Sequence, residues 1–209
     1  MTDDPLDVNK AYALRTPQDS KELYADWAGT YDDAFASAVD YIFPQQVSDV
    51  FYELNGKGPV LDAGAGTGLV AEALRKGGDV EVDALDISPQ MLKVARGKGL
   101  YRKLKEGDLT QPLPYADECY NAVVSAGTFT HGHVGPEALD ELLRVAAPEA
   151  LFVLTIKSEL FETHGFADKF EAFGPKIKGF AVRDVAIYGE HTDAAHARDR
   201  GYIATFWRA

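Results

Sequence analysis

One aspartate and three glycines, Asp62, Gly64, Gly66 and Gly68, stand together in VLDAGAGTGLV, residues 60–70. A short apolar run ahead of them predicts a strand that enters a glycine-rich turn and then a helix. Glycines in such a turn let backbone approach a ligand closely, because no Cβ intervenes. A dinucleotide, a phosphate and a sulfonium cofactor are all compatible with that description. The spacing separates them. A dinucleotide turn reads G-x-G-x-x-G, whereas residues 64–69 read GAGTGL and bring the third glycine one position early. A phosphate loop needs Gly-Lys-Ser/Thr, and no lysine follows Gly68. Asp62 beside the turn disfavours a pyrophosphate and favours a cation.

Two further carboxylates carry chemistry. Asp86, in LDIS, follows the loop by about twenty residues, where a carboxylate accepts hydrogen bonds from ribose hydroxyls. Asp108, in GDL, is placed to accept from an adenine amino group. Taken alone, Asp86 also reads as a solvated residue capping the next helix, and Asp108 as a turn residue.

These residues need elements to position them. From Gly58 onward short apolar runs alternate with helical patterns. Strands are expected at 60–63, 80–87, 101–106, 119–126 and 151–156. Helices are expected at 67–76 and 89–96, with Ser88 as N-cap and Pro89 in the first turn. A further helix opens at Gly135-Pro136. Such alternation predicts an α/β fold with a doubly wound, mostly parallel sheet. FAVRDVAIYGE and GYIATFWRA, joined by the polar HTDAAHARDR, predict an antiparallel pair near the C-terminus. Ahead of the sheet, residues 20–37 read as helix with a break near Gly29, carrying Leu23, Trp27, Tyr31 and Phe35 as one stripe. A second helix starts near Pro44 and closes at Asn55-Gly56. The organisation expected is a helical cap, residues 1–57, in the same domain as the core, residues 58–209. In an open sheet of this kind ligands sit at the carboxyl ends of the strands, so the first turn is the expected site.

Composition narrows the partners. The chain has 209 residues, a net charge of −12 and 46% apolar residues. An acidic surface repels nucleic-acid backbones. The basic run of Arg96, Lys98, Arg102, Lys103 and Lys105 reads as a solvated helix end and loop. A single cysteine, Cys119, leaves no internal disulfide and no cysteine-rich zinc site. The polar start lacks the pattern of a signal peptide, and no apolar run reaches membrane-spanning length. A cytoplasmic protein with a small-molecule partner is expected, and neither nucleic acid nor membrane. Monomer and homodimer are not distinguished.

VLDAGAGTG, LDIS, EGDL and NAVVSAGTF, in that order, resemble the class I (Rossmann-like) S-adenosylmethionine-dependent methyltransferases over about residues 58–157. LYADWAGTYDDAF, GLYRKLKEGDLTQPLPY and GTFTHGHV resemble more closely the methyltransferase-like group named for the Williams–Beuren syndrome chromosomal region. The resemblance implies a seven-stranded sheet whose last strand inserts antiparallel between the fifth and sixth. It implies S-adenosylmethionine as cofactor and S-adenosylhomocysteine as product. Gly64, Ala65, Gly66 and Gly68 would cradle the methionine end, with Asp62 nearby. Asp86 would bind the ribose, Ile87 would lie against the adenine, and Ser88 and Met91 complete that side. Asp108 and Leu109 would read the adenine edge, and Ala126 and Gly127 would flank the methionine. One departure is APEALFVL, where the wider family has a Pro-Gly-Gly turn.

Methyl transfer from a sulfonium is an in-line displacement that depends on alignment. It requires neither a metal nor a covalent intermediate, and a general base helps where the acceptor loses a proton. His131 and His133, just past the fourth strand, are the expected bases on the acceptor side. Tyr31 is the third catalytic candidate. Tyr24, Trp27 and Tyr31 are expected to close over the cofactor from the N-terminal helix. No Asn/Asp-Pro-Pro-aromatic motif and no Pro-Cys nucleophile follow the fourth strand, which disfavours base-directed methylation. A non-catalytic module that binds S-adenosylmethionine or S-adenosylhomocysteine as a sensor is the alternative reading.

Overall fold

The computed structural model describes residues 16–29, 31–32, 40–130, 134–190, 192 and 198–209. Helix α1, Pro17–Trp27, opens on a capping box in which Thr16 and Asp19 exchange side-chain and backbone bonds, with proline in the first turn. Helix α2, Phe43–Glu53, buries Val47, Val50 and Phe51. It ends as foreseen at Asn55, held at φ 57°.

Seven strands follow. They are β1 (Val60–Ala63), β2 (Val82–Asp86), β3 (Lys103–Glu106), β4 (Tyr120–Phe129), β5 (Ala146–Lys157), β6 (Ile177–Ala186) and β7 (Arg200–Arg208). Their order in the sheet is β3-β2-β1-β4-β5-β7-β6. The first five run parallel, and β7 lies antiparallel between β5 and β6. The order turns back between β1 and β4, so the crevice of an open sheet opens at the end of β1.

The connecting helices are α3 (Leu69–Gly77), α4 (Pro89–Lys98), α5 (Ala138–Val145), α6 (Ser158–Thr163) and α7 (Phe166–Phe173). Ser88 caps α4 by accepting from the Met91 amide. Central strands are covered on both faces, which is why β1 is buried throughout. On one face Phe152, Leu154 and Ile156 of β5 pack with Leu139, Leu142, Phe166 and Phe170. On the other Leu151 and Val153 pack with Val47, Phe51, Val70 and Leu74.

Helices α6 and α7 lie where the sequence reading marked no element. Both are short, and their phenylalanines are set by packing rather than by a long period. Strand β5 starts five residues earlier than expected, directly after α5. Glu149 takes φ 66° there, in the stretch that departs from Pro-Gly-Gly, and the β4–β5 register shifts between Tyr120 and Ala122. The basic run is corrected in two places. Lys98 pairs with Asp32 and Glu72. Arg102 forks onto the buried carboxylate of Asp83 through two bonds of 2.9 Å, and Tyr120 also donates to Asp83. No helix among the described residues is long and apolar enough to cross a membrane.

Candidate active site

The chain leaves β1 through three left-handed glycines, with φ 76° at Gly64, 52° at Gly66 and 97° at Gly68. The amides of Gly64 and Ala65 both donate to the Leu85 carbonyl, at 2.8 and 3.0 Å, which pins the turn against β2. The glycines have different neighbours. A Cβ on Gly64 would meet Thr128 Oγ1 at 2.0 Å, whereas a Cβ on Gly66 would meet nothing within 4 Å. Gly64 is thus required by the protein's own packing, and Gly66 borders open space.

Asp86 ends β2 beside this turn. The Gly66 amide donates to its Oδ2 at 2.7 Å and the Ser88 amide to its Oδ1 at 2.8 Å. Burial pushes its carboxyl above the usual range, and the amides of Ser88 and Gly66 pull it back. Each oxygen keeps further acceptor capacity. Asp108 is held differently: its Oδ1 accepts from the amide and the hydroxyl of Thr110, at 2.8 and 2.7 Å.

Asp62 is fully buried in β1. Tyr101 donates to its Oδ2 at 2.6 Å, while Oδ1 has no hydrogen-bond partner. Burial raises its carboxyl to about 7; the Tyr101 bond opposes this and Asp86 adds to it. A buried carboxylate with one orphan oxygen behind a glycine turn suits a cationic ligand group nearby.

Above the turn lies a cleft of about 1250 Å³, counting its open mouth. Gly64, Ala65, Gly66 and Asp86 line one side. Ile87, Met91, Asp108 and Leu109 continue it, with Ala126 and Gly127 opposite. Tyr24 and Tyr31 close it from the N-terminal segment. Burial pushes both phenols up, with Asp86 adding to the effect at Tyr24 and Tyr24 itself at Tyr31, so both stay protonated donors at neutral pH.

Four sequence-predicted residues lie behind the cleft rather than on it. Trp27 is buried with Phe43 and Met91 and meets Tyr24 edge-on at 5.9 Å. Gly68 faces Tyr101, Ser88 caps α4, and Asp62 lies under the turn. His131 and His133 lie outside the described residues. The cleft also takes in residues that sequence reading missed, among them Tyr41, Phe43, Lys157, Ile187 and Tyr188. Tyr41 and Tyr188 form an isolated antiparallel bridge, and a Cβ on Gly127 would strike the Tyr41 hydroxyl at 2.3 Å. That clash is a specific reason for glycine at 127.

The N-terminal segment is tied down by polar bonds. Asp32 accepts from Thr67 Oγ1 at 2.5 Å and pairs with Lys98 at 2.5 Å. Lys21 pairs with Glu106 at 2.6 Å.

Residues 61–154 match the model of a family described as a methyltransferase domain. The chain is 33% identical over 156 residues to methyltransferase-like protein 27 of Homo sapiens, covering 72% of this chain and 63% of that protein. It is 31% identical over 160 residues to the malonyl-[acyl-carrier protein] O-methyltransferase of Halorhodospira halophila, covering 68% of this chain and 54% of that protein. The chain therefore spans little more than half to just under two thirds of these relatives' length. Among solved structures, a TehB-like S-adenosylmethionine-dependent methyltransferase from Corynebacterium glutamicum shares the fold with a TM-score of 0.62 at 18% identity, covering 89% of this chain and 98% of that one. The strand order with its antiparallel β7, the glycine turn against Asp86 and the match of residues 61–154 to a methyltransferase domain agree: this chain is similar to the class I S-adenosylmethionine-dependent methyltransferases.

Proposed function

We propose that the protein is an enzyme that moves a methyl group from S-adenosylmethionine to a small-molecule acceptor by in-line displacement. The observation that carries this reading is the Asp86 carboxylate, oriented by the Gly66 and Ser88 amides at the edge of a cleft floored by the glycine turn. In this reading Asp86 holds ribose hydroxyls. Ile87 and Met91 flank the adenine, and Asp108 with the Leu109 backbone meets its edge. Gly64, Ala65 and Gly66 form the methionine cradle, with Gly68 closing the turn and Ala126 and Gly127 alongside. The negative field of Asp62 favours the cationic end of the cofactor. Bound S-adenosylmethionine supplies an electrophilic methyl on a sulfonium. The chain's task is to align the acceptor with that methyl and to keep water out. Tyr24 and Tyr31, on the segment fastened through Asp32, exclude water, and residues 1–57 act as a cap of the same domain. Proton removal falls to His131 or His133, and Tyr31, which stays protonated, serves as a hydrogen-bond donor to the acceptor.

The bacterial relative is named as an O-methyltransferase of a malonyl-carrier conjugate, which supports an oxygen acceptor. The net charge of −12 argues against nucleic acid as substrate. A cytoplasmic location goes with this reading.

Calorimetric titration with S-adenosylmethionine, S-adenosylhomocysteine and NAD tests it. Micromolar binding of the first two without NAD, followed by S-adenosylhomocysteine release with an acceptor panel, is the expected outcome. Binding of NAD alone sinks the cofactor assignment. Binding of S-adenosylhomocysteine without turnover across the panel favours a sensor.

A further inference from the structure

The cleft extends beyond the residues assigned above to the cofactor, to Tyr41, Phe43, Lys157 and Tyr188. Asp86 and Asp108 follow β2 and β3, and the methionine cradle lies between β1 and β4. Lys157 ends β5, three strands beyond β2 and thus roughly 14 Å across the sheet from Asp86 at ordinary strand spacing. Among the described residues that line the cleft it is the cation, and Asp86 and Asp108 are the carboxylates.

An aromatic wall stands beside Lys157. Its backbone partner on β7 is Gly201, where a Cβ would strike the Phe43 ring at 2.4 Å. The Phe43 ring therefore comes down directly next to the Lys157 pair. Tyr41 lies 5.8 Å from Phe43 and 6.0 Å from Tyr188, ring centre to ring centre, and all three line the cleft. Burial pulls the Lys157 ammonium below the usual lysine range, while Asp199 and Glu159 act to keep it charged. A cation in a partly desolvated aromatic pocket attracts an anion more strongly than one in water.

We propose that the acceptor is a carboxylate on a flat, apolar body: the aromatic wall takes the body and Lys157 receives the anionic group. This rests on the methyltransferase reading and adds the chemical class of its substrate. Lys157 acts here as the anchor of the acceptor and has no part in cofactor binding.

The test uses the full chain saturated with S-adenosylhomocysteine, titrated calorimetrically with 2-naphthoate and with 2-naphthamide. The wild type is expected to bind the carboxylate about tenfold more tightly than its neutral isostere. Lys157→Met should remove that preference and Lys157→Arg should retain most of it, with S-adenosylhomocysteine affinity unchanged in both. Equal binding of the two probes, no binding of 2-naphthoate, or a preference that survives in Lys157→Met overturns the proposal. Should Lys157→Met not fold, the wild-type comparison and Lys157→Arg decide. Failure of the underlying reading shows separately, as a wild type that does not bind S-adenosylhomocysteine.

Discussion

The backbone amide of Gly66 donates to the side chain of Asp86 across 2.7 Å, joining two residues 20 apart in the chain. The bond fixes the glycine turn against the end of β2 and aims the remaining acceptor positions of the carboxylate at the cleft. Removing the carboxylate has two effects. Two backbone amides lose an acceptor, and the ribose loses its anchor. Asp86→Ala is expected to fold with a lowered melting temperature and to bind S-adenosylmethionine about tenfold or more weakly by calorimetry. Unchanged affinity in the folded variant refutes the ribose role.

Gly64 and Gly66 should respond oppositely to alanine. At Gly64 the new methyl collides with Thr128 in a left-handed backbone, so Gly64→Ala should lose stability markedly in denaturant unfolding. At Gly66 the methyl enters open space, leaving only the backbone penalty, on the order of 1 kcal/mol. Cofactor affinity should fall far more than stability in Gly66→Ala. Parallel losses in both variants would remove the distinction.

Asp62 gives a pH signature. Its carboxyl is raised to about 7 in the folded chain, above its unfolded value near 3.9. A raised pKa means that the folded state holds more protons between those two values. The associated stability is complete below pH about 4 and is lost as pH rises through about 7. Wild-type stability without cofactor should therefore fall from pH 5 to pH 8, by an amount on the order of 3 kcal/mol from this group. Asp62→Asn should flatten that slope in urea titrations at several pH values. An identical slope in the variant assigns the effect elsewhere.

Asp32 links the N-terminal segment to Thr67 in the turn and to Lys98 on α4. Such a partly exposed ion pair contributes about 1 kcal/mol or less to stability. It fastens the segment that carries Tyr31 over the cleft, so its effect should appear in kinetics. Asp32→Asn is expected to leave the melting temperature nearly unchanged and to speed cofactor release several-fold in stopped-flow measurements. Equal release rates would separate this bond from closure of the cleft.

The sequence by itself determined the strand–turn–helix at residues 60–77, the placement of Asp86 and Asp108 after the next two strands, and the antiparallel end. These are local features. Glycine spacing, apolar alternation and helix caps act over a few residues, so they are legible without tertiary contacts. The sequence could not show which glycine is demanded by packing and which borders open space in the cleft, because that depends on Thr128, far along the chain. It missed Tyr41, Phe43, Lys157 and Tyr188, which come from three separate stretches of the chain with no motif between them. It left α6 and α7 unmarked, since short helices form only against the sheet that buries their phenylalanines. Trp27 shares one stripe with Tyr31, and only packing turned it toward Phe43 and Met91 instead of the cleft. Tertiary structure decided these points because a cleft is assembled from residues distant in sequence, and what they share is position in space rather than spacing along the chain.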